Sequence, residues 1–271
     1  MNAIKQAFEN AKTQGRGALI GYIMVGDPKP ELTPKIADAL IKGGVDILEL
    51  VLPFSDPIAD GHTIQDASIR ALAAGTTPAK VLEIPGDIRR SHNVPIVIMT
   101  YYNPIFRMGH EKFFSQAREC MVDGIIVPDL PVEESDDLRN AARKFGIDTI
   151  FLVAPSTTNE RLTKIVAASS GFLYLVSHFG VTGAKAKIED STIQLIKRVL
   201  PFTFEKIPLA VGFGVSKPEH VKRIIMAGAN GVIVGSAFIN IIKKHQENID
   251  VLLKELQTTA SKLKEATDII N

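Results

Sequence analysis

Short apolar runs alternate along the chain with longer amphipathic segments. The runs are rich in β-branched residues and are apolar at consecutive positions, which is typical of parallel strands covered on both faces. Glycine or aspartate precedes several of them, as expected where a helix ends and the chain turns into a strand. The predicted strands are residues 18–25, 47–52, 95–99, 125–127, 149–153, 172–176, 209–211 and 232–234.

Amphipathic helices are predicted between these strands, because apolar residues recur there three or four positions apart. Leu32, Ile36 and Leu40 show this spacing in the first of them. A last apolar stripe begins at Ile249 and predicts a C-terminal helix. The other predicted helices are residues 30–42, 64–74, 78–90, 111–121, 133–145, 159–168, 189–200 and 218–227.

The regular alternation of strand and helix predicts right-handed βαβ units and a parallel sheet. Eight such units in 271 residues predict a fold of the α/β class, a closed (β/α)8 or TIM barrel with extra helices in the βα loops. The alternative is a doubly wound sheet, which usually opens with a glycine-rich dinucleotide-binding turn, and Gly26-Asp27-Pro28 is not one. No linker or shift in composition interrupts the pattern, so residues 1–271 are expected to form a single catalytic domain.

Composition and charge exclude several classes of protein. The 31 basic and 30 acidic side chains give a net charge of +1, which argues against nucleic acid or an anionic membrane as the main partner. The one cysteine excludes an internal disulfide and favours the reducing cytoplasm. The six histidines show no short ligand spacing, so no protein-held metal is expected. No apolar run approaches the roughly 20 residues of a membrane-spanning helix.

Glu49 is the clearest polar residue that the strand pattern does not explain. It lies within the apolar run 47–52, on the same face as Ile47 and Val51. A carboxyl there is expected in the barrel mouth or buried, and either place raises its pKa, which suits a group that exchanges protons near neutral pH. The alternative is a structural glutamate paired with a buried Arg or Lys, although no basic residue in the same strand is available.

A second carboxylate is expected near Glu49, because the loop after this strand, residues 53–65, is long and carries Asp56 and Asp60. Asp60 precedes Gly61, which would let the backbone turn sharply and aim the carboxylate. The two acids would then form a pair at the barrel mouth. The alternative for Asp60 is an ordinary turn residue.

Glycines follow three successive strands in the second half of the chain, in residues 180–183, 212–214 and 235–236. The last of these segments also opens a predicted helix. Glycines beside a helix N-terminus after the seventh and eighth strands predict a phosphate site made by backbone N–H groups. Tyr174, in the sixth strand, either reaches into the mouth to position a substrate or belongs to the core.

An ordered set of motifs runs from about residue 15 to about residue 245. Its most specific part is Glu49 followed by PFSDPIADGHTIQ over residues 53–65. The set resembles the signature of the tryptophan synthase alpha chain family. The remaining matching positions are residues 26–28, Tyr101, Asn103, 128–134, Tyr174, Ser177, 180–183, 212–214 and 235–236.

The resemblance implies a lyase reaction of tryptophan biosynthesis, the retro-aldol cleavage of indole-3-glycerol phosphate to indole and glyceraldehyde 3-phosphate. It implies that Glu49 is the general acid/base and that Asp60 accepts the indole N–H and stabilises positive charge on the ring. Tyr22, where the family usually has Phe, would line the pocket. The other implied substrate-binding residues are Tyr174 and Thr182 in the pocket, and Gly183, Gly212, Gly214, Gly235 and Ser236 at the phosphate.

The resemblance also implies a protein partner. In the family a beta chain converts indole and serine to tryptophan with pyridoxal phosphate, so the cofactor would belong to the partner and none to this chain. We expect a hetero-oligomer, alpha2-beta2, in which indole passes between subunits without release. Pro53 and Asp56 would lie at the interface. The loops at 53–60 and 180–183 would order on binding and couple the two sites.

The chain departs from the family pattern at three places. Val51 replaces a usual Gly, and His62 replaces a usual Pro. His178-Phe179 occupies the place where the family commonly has Arg followed by a small residue. Because that Arg helps the mobile loop close in the family, the third change bears on loop closure. The β-branched Val51 could narrow the barrel mouth.

Two alternative functions remain open at this stage. One is a different phosphate-binding barrel, an isomerase or aldolase acting on a sugar phosphate, although a Schiff-base aldolase needs a strand lysine that no predicted strand holds. The other is a catalytically weak subunit that serves mainly as an allosteric partner of the beta chain.

Overall fold

The computed structural model describes residues 2–176, 190–212 and 214–269. In this part of the chain nine strands form one sheet, and every pairing between neighbouring strands is parallel. The strands are β1 (Ala18–Met24), β2 (Ile47–Val51), β3 (Ile96–Met99), β4 (Gly124–Ile126), β5 (Asp148–Ile150), β6 (Leu152–Val153), β7 (Leu173–Val176), β8 (Leu209–Gly212) and β9 (Gly231–Val234).

The order of the strands shows a barrel. It runs β5-β4-β3-β2-β1-β9-β8-β7-β6, so the first strand pairs with the last. The two strands at the ends of this order, β5 and β6, are separated along the chain only by Phe151. The predicted strand 149–153 is therefore divided into two short strands, and the sheet closes through it. This confirms the predicted (β/α)8 barrel and excludes the doubly wound sheet.

Helices surround the sheet, and the ones predicted from apolar spacing are present within a few residues of the predicted bounds. Two short 3₁₀ turns, Pro30–Leu32 and Val132–Glu134, take the first residues of two predicted helices. The helices are α1 (Ala3–Thr13), α2 (Thr33–Lys42), α3 (His62–Ala73), α4 (Pro78–Arg89), α5 (Tyr102–Met108), α6 (His110–Glu119), α7 (Asp136–Lys144), α8 (Asn159–Ala168), α9 (Asp190–Thr203), α10 (Pro218–Met226), α11 (Ser236–His245) and α12 (Ile249–Glu265).

Two of these helices, α1 and α5, were not among the predicted elements. α1 begins after Asn2, whose side chain accepts the Ile4 N–H, and it buries Ile4, Phe8 and Ala11. The Phe8 ring lies 5.7 Å from the ring of Phe172, just before β7. α1 therefore packs against the N-terminal ends of the strands. No described helix combines the length and the apolar character that a membrane crossing requires.

Carboxylates at the N-terminal ends of the strands hold the barrel together. Asp46 accepts the Leu19 N–H at 2.8 Å and pairs with Arg16 at 2.9 Å and with Lys264, at the end of α12, at 2.6 Å. Asp123 accepts the N–H of the first residue of β3 in the same way. These acids are paired with cations, so this end of the barrel is structural. The opposite end, where the strands finish, holds two buried acids, Glu49 and Asp60, that have no basic partner among the described residues.

Candidate active site

Glu49 lies at the middle of β2 and is fully buried. Neither of its carboxyl oxygens has a hydrogen-bond partner among the described residues. Burial raises its pKa to about 8, and the charge of Asp60 adds to this rise. Within the described residues the alternative of a structural ion pair is therefore excluded. The Glu49 side chain is therefore protonated at neutral pH and can release its proton at a slightly higher pH.

Asp60 lies in the loop between β2 and α3 and is 5% exposed. The Tyr101 hydroxyl donates to its Oδ2 at 3.0 Å and in turn accepts the Ala59 N–H at 3.0 Å. The Gln65 side-chain amide donates to the Asp60 carbonyl at 2.8 Å. Burial raises the pKa of Asp60 to about 6, against the lowering effect of the Tyr101 hydrogen bond.

The expectation that Gly61 turns the backbone sharply to aim Asp60 was wrong. Gly61 has φ −77° and ψ 161°, an extended conformation that any residue adopts. The hydrogen bonds from Tyr101 and Gln65 hold this part of the loop instead. The expected proximity of Asp60 to Glu49 is supported, since the charge of Asp60 contributes to the raised pKa of Glu49.

The two carboxyls differ in protonation at neutral pH. With pKa values of about 8 and about 6, Glu49 carries a proton while Asp60 is ionised. One buried acid and one buried carboxylate in the same cavity can protonate one part of a ligand and stabilise positive charge on another.

Three tyrosines surround the two acids. Tyr22 on β1 is the register partner of Glu49, Tyr101 follows β3, and Tyr174 lies on β7. Burial raises the pKa of all three, and the charge of Asp60 raises each further. The hydroxyls therefore stay neutral. Tyr174 lies close enough to Glu49 and Asp60 for both charges to act on it, and its role in positioning a substrate stays a prediction.

The predicted phosphate glycines lie at the ends of β8 and β9. A Cβ atom at Gly212 would lie 2.6 Å from Oη of Tyr174, and one at Gly235 would lie 2.8 Å from Cδ1 of Tyr22. Both glycines are thus required by the close approach of a tyrosine ring. Gly214 has φ +78°, which favours glycine.

Gly235 and Ser236 join β9 to α11, so the N–H groups of the first turn of α11, which have no partner within the helix, lie beside Gly235. The predicted ligands Thr182 and Gly183 fall outside the described residues, as do Ser177, His178 and Phe179. The described part of the predicted phosphate site therefore comprises Gly212, Gly214, Gly235 and Ser236.

The two predicted interface residues lie in the loop after β2. Pro53 is buried, whereas Asp56 is exposed and accepts a hydrogen bond from the Ser55 hydroxyl at 2.5 Å. The Phe54 ring stacks on Tyr101 with ring centroids 5.0 Å apart. The loop is thereby joined to the residue that holds Asp60.

Tyr101 is a site residue to which the sequence assigned no role. It stands two residues after the end of β3, at the barrel end where function is located, and that position was the available signal. Of the departures, Val51 is buried at the end of β2 and His62 is the exposed first residue of α3.

No group of three or more His, Cys, Asp or Glu side chains suited to a metal ion occurs in residues 2–176, 190–212 and 214–269. No described strand contains a lysine, so the strands offer no amine for a Schiff base.

Comparison with known proteins decides the family. A model of the tryptophan synthase alpha chain matches residues 8–268. The chain belongs to the tryptophan synthase alpha chain family. It is 49% identical to the tryptophan synthase alpha chain of Methanoregula boonei over 268 residues, covering 99% of each chain. As a member of this family it is a lyase of tryptophan biosynthesis that cleaves indole-3-glycerol phosphate.

Solved structures of the family have the same fold. The tryptophan synthase alpha subunit of Legionella pneumophila superposes with a TM-score of 0.90 at 36% identity, covering 99% of each chain. A chain from the tryptophan synthase a2b2 complex of Pyrococcus furiosus superposes with a TM-score of 0.86 at 42% identity, covering 92% of this chain and 98% of that one. The barrel fold is therefore shared with these solved structures.

Proposed function

We propose that Glu49 is the general acid/base of the cleavage and that Asp60 stabilises the positive charge that develops on the indole ring. The observation that carries this proposal is the burial of Glu49 with both carboxyl oxygens unpartnered among the described residues, beside a second buried carboxyl. The protonated carboxyl makes no hydrogen bond to the described residues, so it can donate its proton to a ligand. The ionised carboxylate is destabilised by burial, so it readily accepts a proton in return.

The proposed proton transfers form a closed cycle. The Glu49 acid protonates C3 of the indole, which makes the ring an electron sink, and the ionised Asp60 accepts the indole N–H. The bond between C3 and the glycerol chain then breaks, its electrons return to the ring, and the adjacent hydroxyl becomes an aldehyde. The proton lost by that hydroxyl returns to Glu49. The enzyme is restored, and indole and glyceraldehyde 3-phosphate are formed.

The phosphate and the pocket are assigned to the remaining predicted residues. In this proposal Tyr22, Tyr174 and Thr182 line the pocket. The position of Gly235 and Ser236 at the first turn of α11 supports their role, since free N–H groups there favour an anion. The proposed phosphate ligands are Gly183, Gly212, Gly214, Gly235 and Ser236.

We also infer a beta-chain partner in an alpha2-beta2 assembly, with Pro53 and Asp56 at the interface. The support is the similarity to a chain solved as part of the Pyrococcus furiosus a2b2 complex. Pyridoxal phosphate would belong to the beta chain, which would receive the indole, and this chain would work without a cofactor. We further infer that residues 1–271 are one catalytic domain working in the cytoplasm.

The test is indole release from indole-3-glycerol phosphate by the wild type and by Glu49→Gln. Loss of the proton-transfer group is expected to lower kcat by ~10² to 10⁴. Asp60→Asn is expected to slow the reaction strongly while substrate still binds. The matched control is Glu134→Gln, which changes an exposed glutamate and should leave turnover unchanged. Near-normal turnover by Glu49→Gln would overturn the assignment.

The partner is tested in the same assay by adding a beta subunit. Co-purification of the two chains and faster indole formation in their presence would support the assembly. An alpha chain that is equally fast alone would count against coupling between the two sites.

A further inference from the structure

The hydroxyl of Tyr22 is a buried polar group for which the reaction scheme above gives no use. Tyr22 is 6% exposed, and its Oη has no hydrogen-bond partner among the described residues. Leaving a buried hydroxyl unpaired is unfavourable, and a phenylalanine would fill the same ring volume without that cost. The hydroxyl is therefore expected to find its partner in a bound ligand.

The position of Tyr22 indicates which part of the ligand it meets. Its register partner across the β1–β2 ladder is Glu49, so both side chains project from the same face of the sheet. Its ring lies against Gly235, where an added Cβ would come within 2.8 Å of Cδ1 and 3.0 Å of Cγ. Tyr22 thus stands between the proposed proton-transfer group and the proposed phosphate site.

The substrate has a matching order of parts. The indole carbon that Glu49 would protonate is at one end, the phosphate is at the other, and two hydroxyl-bearing carbons lie between them. A hydroxyl group located between the acid and the phosphate site faces that two-hydroxyl segment. Burial keeps the pKa of Tyr22 well above its ordinary value, and the charges of Asp60 and Glu49 add to this, so the phenol is a neutral donor throughout the working pH range.

We propose that the Tyr22 hydroxyl hydrogen-bonds a hydroxyl of the glycerol chain and so selects substrates that carry a hydroxylated chain between indole and phosphate. This inference rests on the proposed function, since it takes the positions of Glu49 and Gly235 relative to the substrate from it. Tyr22 acts here in binding and specificity. Proton transfer remains with Glu49.

The test compares Tyr22→Phe with the wild type on two ligands. One is indole-3-glycerol phosphate, measured by kcat/KM. The other is an analogue in which a plain three-carbon chain joins indole to phosphate, measured by its dissociation constant. Loss of one hydrogen bond predicts a fall in kcat/KM of roughly 3- to 10-fold, carried by KM. Affinity for the plain-chain analogue is expected to stay within about twofold, because it has no chain hydroxyl.

The matched control is Tyr102→Phe at the start of α5, which removes a hydroxyl that lies 3.0 Å from Nε2 of His110. This variant should match the wild type on both ligands. Urea unfolding checks the fold, and Tyr22→Phe is expected to be at least as stable as the wild type because an unpaired buried hydroxyl is removed.

Three results would overturn the proposal. One is an unchanged kcat/KM in Tyr22→Phe. Another is an equal loss for both ligands, which would show that the Tyr22 hydroxyl contacts the indole ring or the phosphate of the ligand. The third is a loss confined to kcat together with a displaced pH profile, which would show that the Tyr22 hydroxyl acts on Glu49 and not on the glycerol chain. A wild type that does not cleave the substrate at all would instead refute the proposed function, so the two failures are distinguishable.

Discussion

Replacing Glu49 by glutamine is expected to stabilise the protein at alkaline pH while it destroys activity. Glutamine has nearly the shape of glutamic acid and carries no charge at any pH. The wild-type carboxyl is fully buried without a partner among the described residues, so its ionised form is strongly disfavoured in the folded state. The variant removes that ionisation and the destabilisation that comes with it.

The magnitude follows from the pKa of Glu49. Folding raises that pKa from its ordinary value of 4.5 to about 8. Between these pH values the folded protein keeps a proton that the unfolded chain has released, so the wild-type free energy of unfolding falls as the pH rises. The pKa difference of about 3.5 corresponds to about 5 kcal/mol in total. No further loss is expected above pH 8, where both states are ionised.

Urea unfolding of both proteins at pH 5, 7 and 9 measures this effect. The stability advantage of Glu49→Gln should be small at pH 5 and should grow by several kcal/mol by pH 9. The exposed glutamate variant Glu134→Gln is the control, and its difference from the wild type should not change with pH.

A stability difference that stays constant from pH 5 to pH 9 would refute the reasoning. It would mean that the Glu49 carboxyl titrates in the folded protein as it does in water. A wild type that becomes the more stable protein at high pH would be a stronger contradiction, because it would require a cation that pairs with ionised Glu49.

Two further predictions concern the surroundings of the acids. Tyr101→Phe removes the hydrogen bond that lowers the pKa of Asp60, so that pKa should rise above about 6, and the acidic limb of the pH profile for indole release should move upward. An unmoved limb would show that Tyr101 does not hold Asp60. Gly212→Ala would place a methyl group 2.6 Å from the Tyr174 ring and should cost about 1–3 kcal/mol in urea unfolding. The control Gly86→Ala, in α4 with its nearest neighbour 4.0 Å away, should be neutral or stabilising, and an equal loss in both would contradict the packing argument.

The strands and most helices could be predicted because their signals are local. Runs of apolar residues and a three-to-four spacing depend only on neighbours along the chain. α1 has the same signal in Ile4, Phe8 and Ala11, but it lies in a polar segment that precedes the first strand. The division of one strand at Phe151 could not be predicted, because it depends on how the sheet closes.

Some features of the site could likewise be predicted from local sequence, whereas others depend on the fold. Glu49 could be found because a carboxylate interrupts an apolar strand, and the glycine segments could be found because they follow successive strands. The hydrogen bond from Tyr101 to Asp60 joins loops that follow two different strands. Its existence depends on the paths of both loops. The approach of Tyr22 to Gly235 likewise depends on the pairing of β1 with β9.

The central claim is that Glu49 is a buried, unpaired acid that keeps its proton at neutral pH. Its most direct test is a carbon-13 NMR titration of the glutamate side-chain carboxyls, with the Glu49 signal assigned by its absence in Glu49→Gln. A midpoint near 8 is expected from the structure. A midpoint near 4.5 would contradict the account.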